Sequence, residues 1–186
     1  GIPAMTNASR SLDVARLPAL AKTVAMIAGG SLALALSAKV QVPFWPVPVT
    51  MQSMVVLLIG YSFGSRIGAA TVLAYLAEGL TGLPVFAGAL AGPAYLMGPT
   101  GGFLLGFIPA AWFAGWVARD VRGLAPTTLA MIAAHVLLFV PGVAWLAVSF
   151  GWTKALAVGV TPFLLATLLK SGLAAALVSA FQTKAR

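Results

Sequence analysis

Residues 79–118, GLTGLPVFAGALAGPAYLMGPTGGFLLGFIPAAWFAGWVA, run for 40 residues without a charged side chain. A water-soluble chain carries about a quarter Asp, Glu, Lys and Arg, so a soluble fold built on this stretch would lack a hydrated face. The rest of the chain agrees. Of 186 residues, 61% are apolar and 8% charged, and the mean hydropathy is +1.03. These values exclude a soluble globule and make lipid the solvent. Within the stretch, Pro84, Gly88, Gly92, Pro93 and Pro99 interrupt helix, which can resume only near Thr100.

A helix crosses the hydrocarbon layer with about 20 apolar residues, fewer where the bilayer thins. Outward from the central stretch, the apolar runs predict six spans over 20–38, 49–63, 67–80, 100–118, 126–148 and 160–182. The fold class is therefore an all-α integral membrane bundle of about six helices. A cytoplasmic tail over 1–19, a transmembrane domain over 20–182 and a second tail over 183–186 complete the chain. The second and third spans are short and separated by Gly64-Ser65-Arg66, which suits a tight helical hairpin or a re-entrant pair. Lys and Arg are retained on the cytoplasmic side. Both termini inside puts Arg10, Arg16, Lys22, Arg66, Arg119, Arg122, Lys184 and Arg186 there, Lys39 and Lys154 outside, and Lys170 within the membrane. Trp145 and Trp152 at one surface and Trp112 and Trp116 at the other fit aromatic belts.

Several chemistries are excluded at once. There is no cysteine, so disulfides, thiolate metal sites and cysteine nucleophiles are absent. The net charge of +8 is spread singly and in pairs with no basic stripe; it points to lipid headgroups rather than nucleic acid. No G-x-x-x-x-G-K-[ST] loop is present, so ATP-driven work requires a partner. Ser31 and His135 could be cast as a protease dyad, but no oxyanion-stabilising set accompanies them.

Lys170 is the informative charge. An ammonium near the bilayer centre costs about 2.5–3.5 kcal/mol on insertion scales, and the span end is about 15 Å away at 1.5 Å per residue, beyond the reach of a lysine stem. Its position predicts a pocket or water-filled cavity, or else capture by helix carbonyls and hydroxyls such as Thr167. Glu78, the one acid within a span, reads as counterion of Lys170, proton-coupling carboxylate or headgroup-level residue. His135 reads as a titrating or ligand-binding group, or as a neutral imidazole bridging two helices. Small residues recur at Ala21, Ala25, Gly29, Ala33 and Ser37, a ridge suited either to internal packing or to docking on another membrane protein. The outer connections 41–48, 83–88 and 92–95 combine proline, glycine and aromatics, giving stiff loops with flat apolar faces. Gly98-Pro99-Thr100-Gly101-Gly102 then opens a helix whose first N–H groups suit either a ligand oxygen or a Thr100 cap.

Three ordered motifs, Pro46-Val47-Pro48-Val49-Thr50-Met51-Gln52, Gly82-Leu83-Pro84-Val85-Phe86-Ala87-Gly88 and Gly98-Pro99-Thr100-Gly101-Gly102-Phe103-Leu104-Leu105-Gly106-Phe107, resemble the signature series of the BioY family. These are the biotin-specific S components of energy-coupling factor transporters. The resemblance covers most of the chain. It implies six helices in the bacterial inner (plasma) membrane, an outward-facing biotin site beneath the first and third outer loops, and assembly with a membrane coupling subunit and two ATPase subunits. It also implies that Ala21, Ala25, Gly29 and Ala33 form the coupling-subunit surface, and that no cofactor is needed beyond biotin as cargo. The family's last helix resembles P-F-[IL]-P-G-D-x-x-K, whose Asp and Lys are associated with biotin. Here Pro162-Phe163-Leu164-Leu165-Ala166-Thr167 leads to Lys170, so the lysine matches and Thr167 replaces the acid. On this reading Phe86, Trp45 and Tyr95 pack the fused ring, Thr50, Gln52, Thr100 and Thr167 exchange hydrogen bonds, and Lys170 donates to the carbonyl or carboxylate. The chain is thus expected to take up biotin without covalent chemistry. The competing function is a secondary transporter of a small carboxylate-bearing solute, coupled to ions through Glu78 or His135.

Overall fold

The computed structural model describes residues 7–184, with side chains over 17–182. Arg10, Arg16, Lys184 and Arg186, used above to orient the chain, lie outside the described side chains, as do residues 1–6 and 185–186 entirely. The elements run α1 (Asn7–Lys39), β1 (Gln41–Val42), β2 (Val49–Thr50), α2 (Gln52–Phe63), α3 (Ser65–Leu80), α4 (Pro93–Met97), α5 (Gly101–Val117), α6 (Leu124–Phe150), α7 (Trp152–Gly159), a 3-10 turn (Thr161–Phe163) and α8 (Leu164–Lys184). This is a six-pass all-α membrane fold. It carries a two-stranded antiparallel ladder, Gln41 opposite Thr50 and Val42 opposite Val49, at one end.

The structure differs from the expected spans at three places. Helix α1 runs back to Asn7 through Pro18, where a tail was expected to last until residue 19. The second span starts at Gln52 rather than residue 49, because Val49 and Thr50 are taken by the ladder. The last span is broken. Pro162 has no N–H to donate back to Val158, and the chain tightens into a 3-10 turn between α7 and α8. Non-helical backbone at membrane depth is tolerated where it borders a cavity rather than lipid, and Phe163 in this turn is buried.

The helices divide by length. Leu17–Lys39, Leu124–Phe150 and Trp152–Gln182 are long and apolar enough to cross a membrane, whereas Gln52–Phe63 and Gly101–Val117 are short. At 1.5 Å per residue α2 covers only about 18 Å. Both short helices lie in the middle of the bundle, α5 against α2, α3 and α6, and their faces are largely buried. A helix enclosed by protein need not match the hydrocarbon thickness by itself.

Glycines set how closely this centre packs. Gly64 alone separates α2 from α3 and has φ +84°, left-handed backbone that favours glycine. The expected hairpin therefore forms. A β-carbon at Gly68 would lie 2.8 Å from the Gly60 Cα, one at Gly60 would overlap the Ala111 carbonyl, and one at Gly115 would overlap Ser65. Gly102 and Gly106 do the same on the other face of α5, where β-carbons would come 2.6 Å from the Pro141 oxygen and 2.5 Å from the Leu138 oxygen. The Gly-Gly-Phe-Leu-Leu-Gly-Phe motif is thus a backbone-to-backbone seam.

The ridge on α1 behaves oppositely. Ala21, Ala25 and Gly29 are exposed and Ala33 is half-buried, while Ser31, Leu34, Ser37 and Ala38 turn inward. Nothing approaches within 4 Å of a β-carbon built on Gly29. Internal packing therefore does not account for these small residues, Ser37 excepted. Gly60→Ala is expected to lower stability by about 1–3 kcal/mol through overpacking, and Gly29→Ala to leave it within about 0.5 kcal/mol. Thermal unfolding in detergent compares the two, and equal shifts would refute the assignment of the seam.

Candidate functional site

The central cavity is built where the broken last span faces the first turn of α2. Val47, Pro48, Thr50, Gln52 and Ser53 form one wall, and Ala87, Tyr95 and Thr100 another. Phe103, Leu104 and Phe107 project from α5, His135, Leu138 and Phe139 from α6, and Phe163 and Lys170 from the last span. The space, with its open mouth and the adjoining solvent included, is about 520 Å³. Most of the lining is apolar, with convergent polar groups at one end.

Those groups form one directed network. Lys170, 8% exposed, donates from Nζ to the Thr50 carbonyl at 3.1 Å and to Ser53 Oγ at 2.7 Å. Ser53 Oγ lies 3.2 Å from His135 Nε2, and His135 Nδ1 lies 3.0 Å from the Met131 carbonyl. That carbonyl can only accept, so the proton is on Nδ1. A neutral imidazole then accepts at Nε2 from the Ser53 hydroxyl, whose oxygen receives the lysine. Ser171 Oγ, 3.0 Å from Nδ1, shares the same N–H. The ammonium thus points across to another helix, at the wall of the cavity, and its partners are neutral. Among the described residues no carboxylate forms an ion pair with it.

Gln52, 3% exposed, donates from Nε2 to the Leu34 carbonyl at 3.2 Å and to Tyr75 Oη at 2.6 Å. Both amide hydrogens brace neighbouring helices, which leaves the carboxamide oxygen as its group for the cavity. Thr100 occupies the N-cap position of α5 but makes no capping bond. Its hydroxyl is not spent on the helix end, against the plain-cap alternative.

Other expected positions lie elsewhere. Phe86 is fully buried but does not line the cavity. Its ring fills the notch at Gly79, where a β-carbon would overlap it, meets Tyr75 edge-on and stacks on Tyr95 at 4.9 Å. It backs the wall that Tyr95 presents. Trp45 is 69% exposed and stands at the mouth, in a depression shared with Pro48, Ala87, Tyr95 and Thr100, edge-on to Phe150 at 5.9 Å. Thr167 is half-buried one turn from Lys170 and does not line the cavity, so it does not stand in for an acid there. Glu78 accepts from Ser31 Oγ at 2.6 Å, between α1 and α3. It is not the counterion of Lys170, and Ser31 is not paired with His135. His135 bridges α6, α2 and α8 and also lines the cavity.

Ser53 and Ser171 were not singled out from sequence, and Phe103, Phe107 and Phe163 stood there within motifs without a site role. The i, i+4 spacing of Phe103 and Phe107 places them on one helix face. Ser53 carried a subtler signal, one turn beyond Thr50 at the start of a helix; nothing in the sequence showed that this turn faces Lys170.

The fold and this site define a polytopic helical membrane protein with a mostly apolar cavity opening toward its proline-rich end. Residues 5–186 match the BioY family. The chain belongs to that family. It is 33% identical over 162 residues, 87% of this chain and 97% of the other, to a Pyrococcus horikoshii protein named "Probable biotin transporter BioY". Over 152 residues, 80% of this chain and 84% of the other, it is 34% identical to "Biotin transporter BioY2" of Lactococcus lactis subsp. cremoris. A crystal structure of the S component for biotin from an ECF-type ABC transporter superposes with a TM-score of 0.77 at 21% identity, over 97% of this chain and 95% of that one; the fold is shared.

Ser53→Ala would leave Lys170 and His135 each one partner short, a loss of about 1–3 kcal/mol. In a cycle with His135→Leu, unfolding free energies should be non-additive by about 0.5 kcal/mol or more. Strict additivity would show that the network is not a unit.

Proposed function

We propose that this chain binds biotin in the Lys170 cavity and carries it across the plasma membrane, without covalent chemistry and with energy from separate ATPase subunits. The observation that carries the reading is the Lys170 ammonium at the wall of a mostly apolar cavity, held by neutral partners alone. Its charge is left for an acceptor on the ligand, the urea carbonyl or the valerate carboxylate. The carboxamide oxygen of Gln52 and the hydroxyl of Thr100 suit the urea N–H groups, and Tyr95, Phe103 and Phe107 suit the fused ring. Trp45 belongs to the mouth and Phe86 to the support of Tyr95. Relatives named as biotin transporters support the same cargo.

The exposed Ala21, Ala25 and Gly29, with half-buried Ala33, are the proposed docking surface for a membrane coupling subunit that brings two ATPase subunits. Small side chains let a second helix approach closely. Both termini are assigned to the cytoplasmic side. Arg66, Arg119 and Arg122 gather at the end of the bundle where Gly115 meets Ser65, while Lys39 and Lys154 lie at the cavity mouth end, as the positive-inside rule requires.

Calorimetric titration of the purified chain with biotin should show binding that Lys170→Met weakens about 30-fold or more, since losing a charged partner costs about 2–5 kcal/mol. A wild-type chain that does not bind biotin would overturn the reading. Gly29→Trp should leave biotin affinity unchanged and abolish ATP-dependent uptake by liposomes holding the partner subunits; unchanged uptake would remove the docking assignment.

A further inference from the structure

The connection between α3 and α4 supplies Ala87 to the cavity wall and the Phe86 ring behind Tyr95, and it has little regular structure of its own. Three fastenings hold it to α3: the Phe86 ring in the Gly79 notch, Tyr75 Oη donating to the Val85 carbonyl at 2.9 Å, and Gly92 N donating to the Gly79 carbonyl at 2.8 Å. A fourth comes from a different helix. Lys39, in the last turn of α1, donates from Nζ to the Phe86 carbonyl at 2.7 Å and to the Gly88 carbonyl at 2.9 Å. Two carbonyls two residues apart converge on one ammonium, and Gly88 has φ +74°, backbone of the left-handed kind that glycine adopts most readily.

We propose that Lys39 is a positioning residue for ligand retention, strapping α1 to the loop that backs the Tyr95 wall of the cavity. The inference rests on the biotin-binding reading above and deepens it. Lys39 touches no ligand in this assignment and does not line the central cavity. It acts through the carbonyl of Phe86, whose ring stacks on Tyr95, which does line it. Without the strap the loop keeps its fastenings to α3 but loses its tie to α1, and the wall opens more often. The bound ligand then leaves sooner. The strap also joins the mouth of the cavity to the helix that carries the exposed small residues Ala21, Ala25 and Gly29, so a shift of α1 relative to α3 would pull on this wall.

The ammonium makes charge-assisted bonds that a guanidinium can reproduce and a methyl-terminated chain of similar length cannot. The test uses the full chain in detergent, loaded with radiolabelled biotin and chased with unlabelled biotin. Lys39→Met should raise the dissociation rate about fivefold, the weight of one net hydrogen bond, and Lys39→Arg should stay within about twofold of wild type on the same scale. The unfolding temperature is measured alongside. A methionine variant that unfolds at a lower temperature yet releases biotin from its folded fraction at the wild-type rate makes Lys39 an ordinary helix-end contact and overturns the proposal. So does an arginine variant as fast as the methionine one. If Lys39→Met does not fold, Lys39→Gln supplies the same comparison, with faster release expected and a wild-type rate overturning the strap. A wild-type chain that fails to take up label sinks the biotin reading itself, an outcome separate from equal release by wild type and variants.

Discussion

The reach of Lys170 from α8 to the first turn of α2 is the contact around which the rest of the molecule is arranged. A bare ammonium at this depth would be ejected toward the headgroups or lose its proton, and neither happens without consequence for the fold. Here the Thr50 carbonyl and the Ser53 hydroxyl receive it. Thr50 can offer that carbonyl only because the chain is still extended there: the ladder of Gln41–Val42 with Val49–Thr50 delays α2 until Gln52. The shortness of α2 and the satisfaction of the lysine are therefore one fact. A helix begun at Val49 would turn the Thr50 carbonyl into its own hydrogen-bond ladder.

The partners are uncharged, which distinguishes this site from the sequence pattern its family resemblance led one to expect. Where that pattern has an acid, this chain has Thr167, and Thr167 lies outside the cavity. Glu78 is engaged with Ser31 across the α1–α3 interface. Stabilisation of the ammonium comes instead from a relay of dipoles ending on the Met131 carbonyl through His135. Dipoles can satisfy hydrogen bonds without neutralising charge. The cavity accordingly keeps a net positive corner among aromatic walls, a combination suited to a largely apolar solute with one strong acceptor.

The spans, the hairpin at Gly64 and the isolation of Lys170 were legible because each depends on a local quantity: hydropathy along the chain, a glycine, a lone charge. The order of packing was not. Gly60, Gly68, Gly102, Gly106 and Gly115 decide which helices touch backbone to backbone, yet in sequence they look no different from Gly29, which touches nothing. Distinguishing them requires knowing which face of each helix turns inward, and in membrane helices that are apolar all round no hydrophobic stripe records it. The same blindness explains Phe86. Its place in a proline- and glycine-rich loop suggested a ligand-facing ring, but a fully apolar side chain beside a glycine notch on the preceding helix is buried there first.

The break between α7 and α8 ties these points together. A continuous helix over the last span would present a straight apolar surface to α6 and leave little room between them. Pro162 interrupts it, and the ensuing 3-10 turn brings Phe163 into the cavity wall, stacked 6.3 Å from Phe103 and edge-on to Phe139 at 5.9 Å. Those contacts replace the lipid that irregular backbone could not face. Beyond the turn, α8 restarts with its own register, and that register sets Lys170 and Ser171 toward α2 and His135 while Leu168 and Leu169 face outward. A uniform helix from Trp152 would reach position 170 with a different face toward the bundle, so the proline is as much a determinant of where the charge points as the residues that receive it.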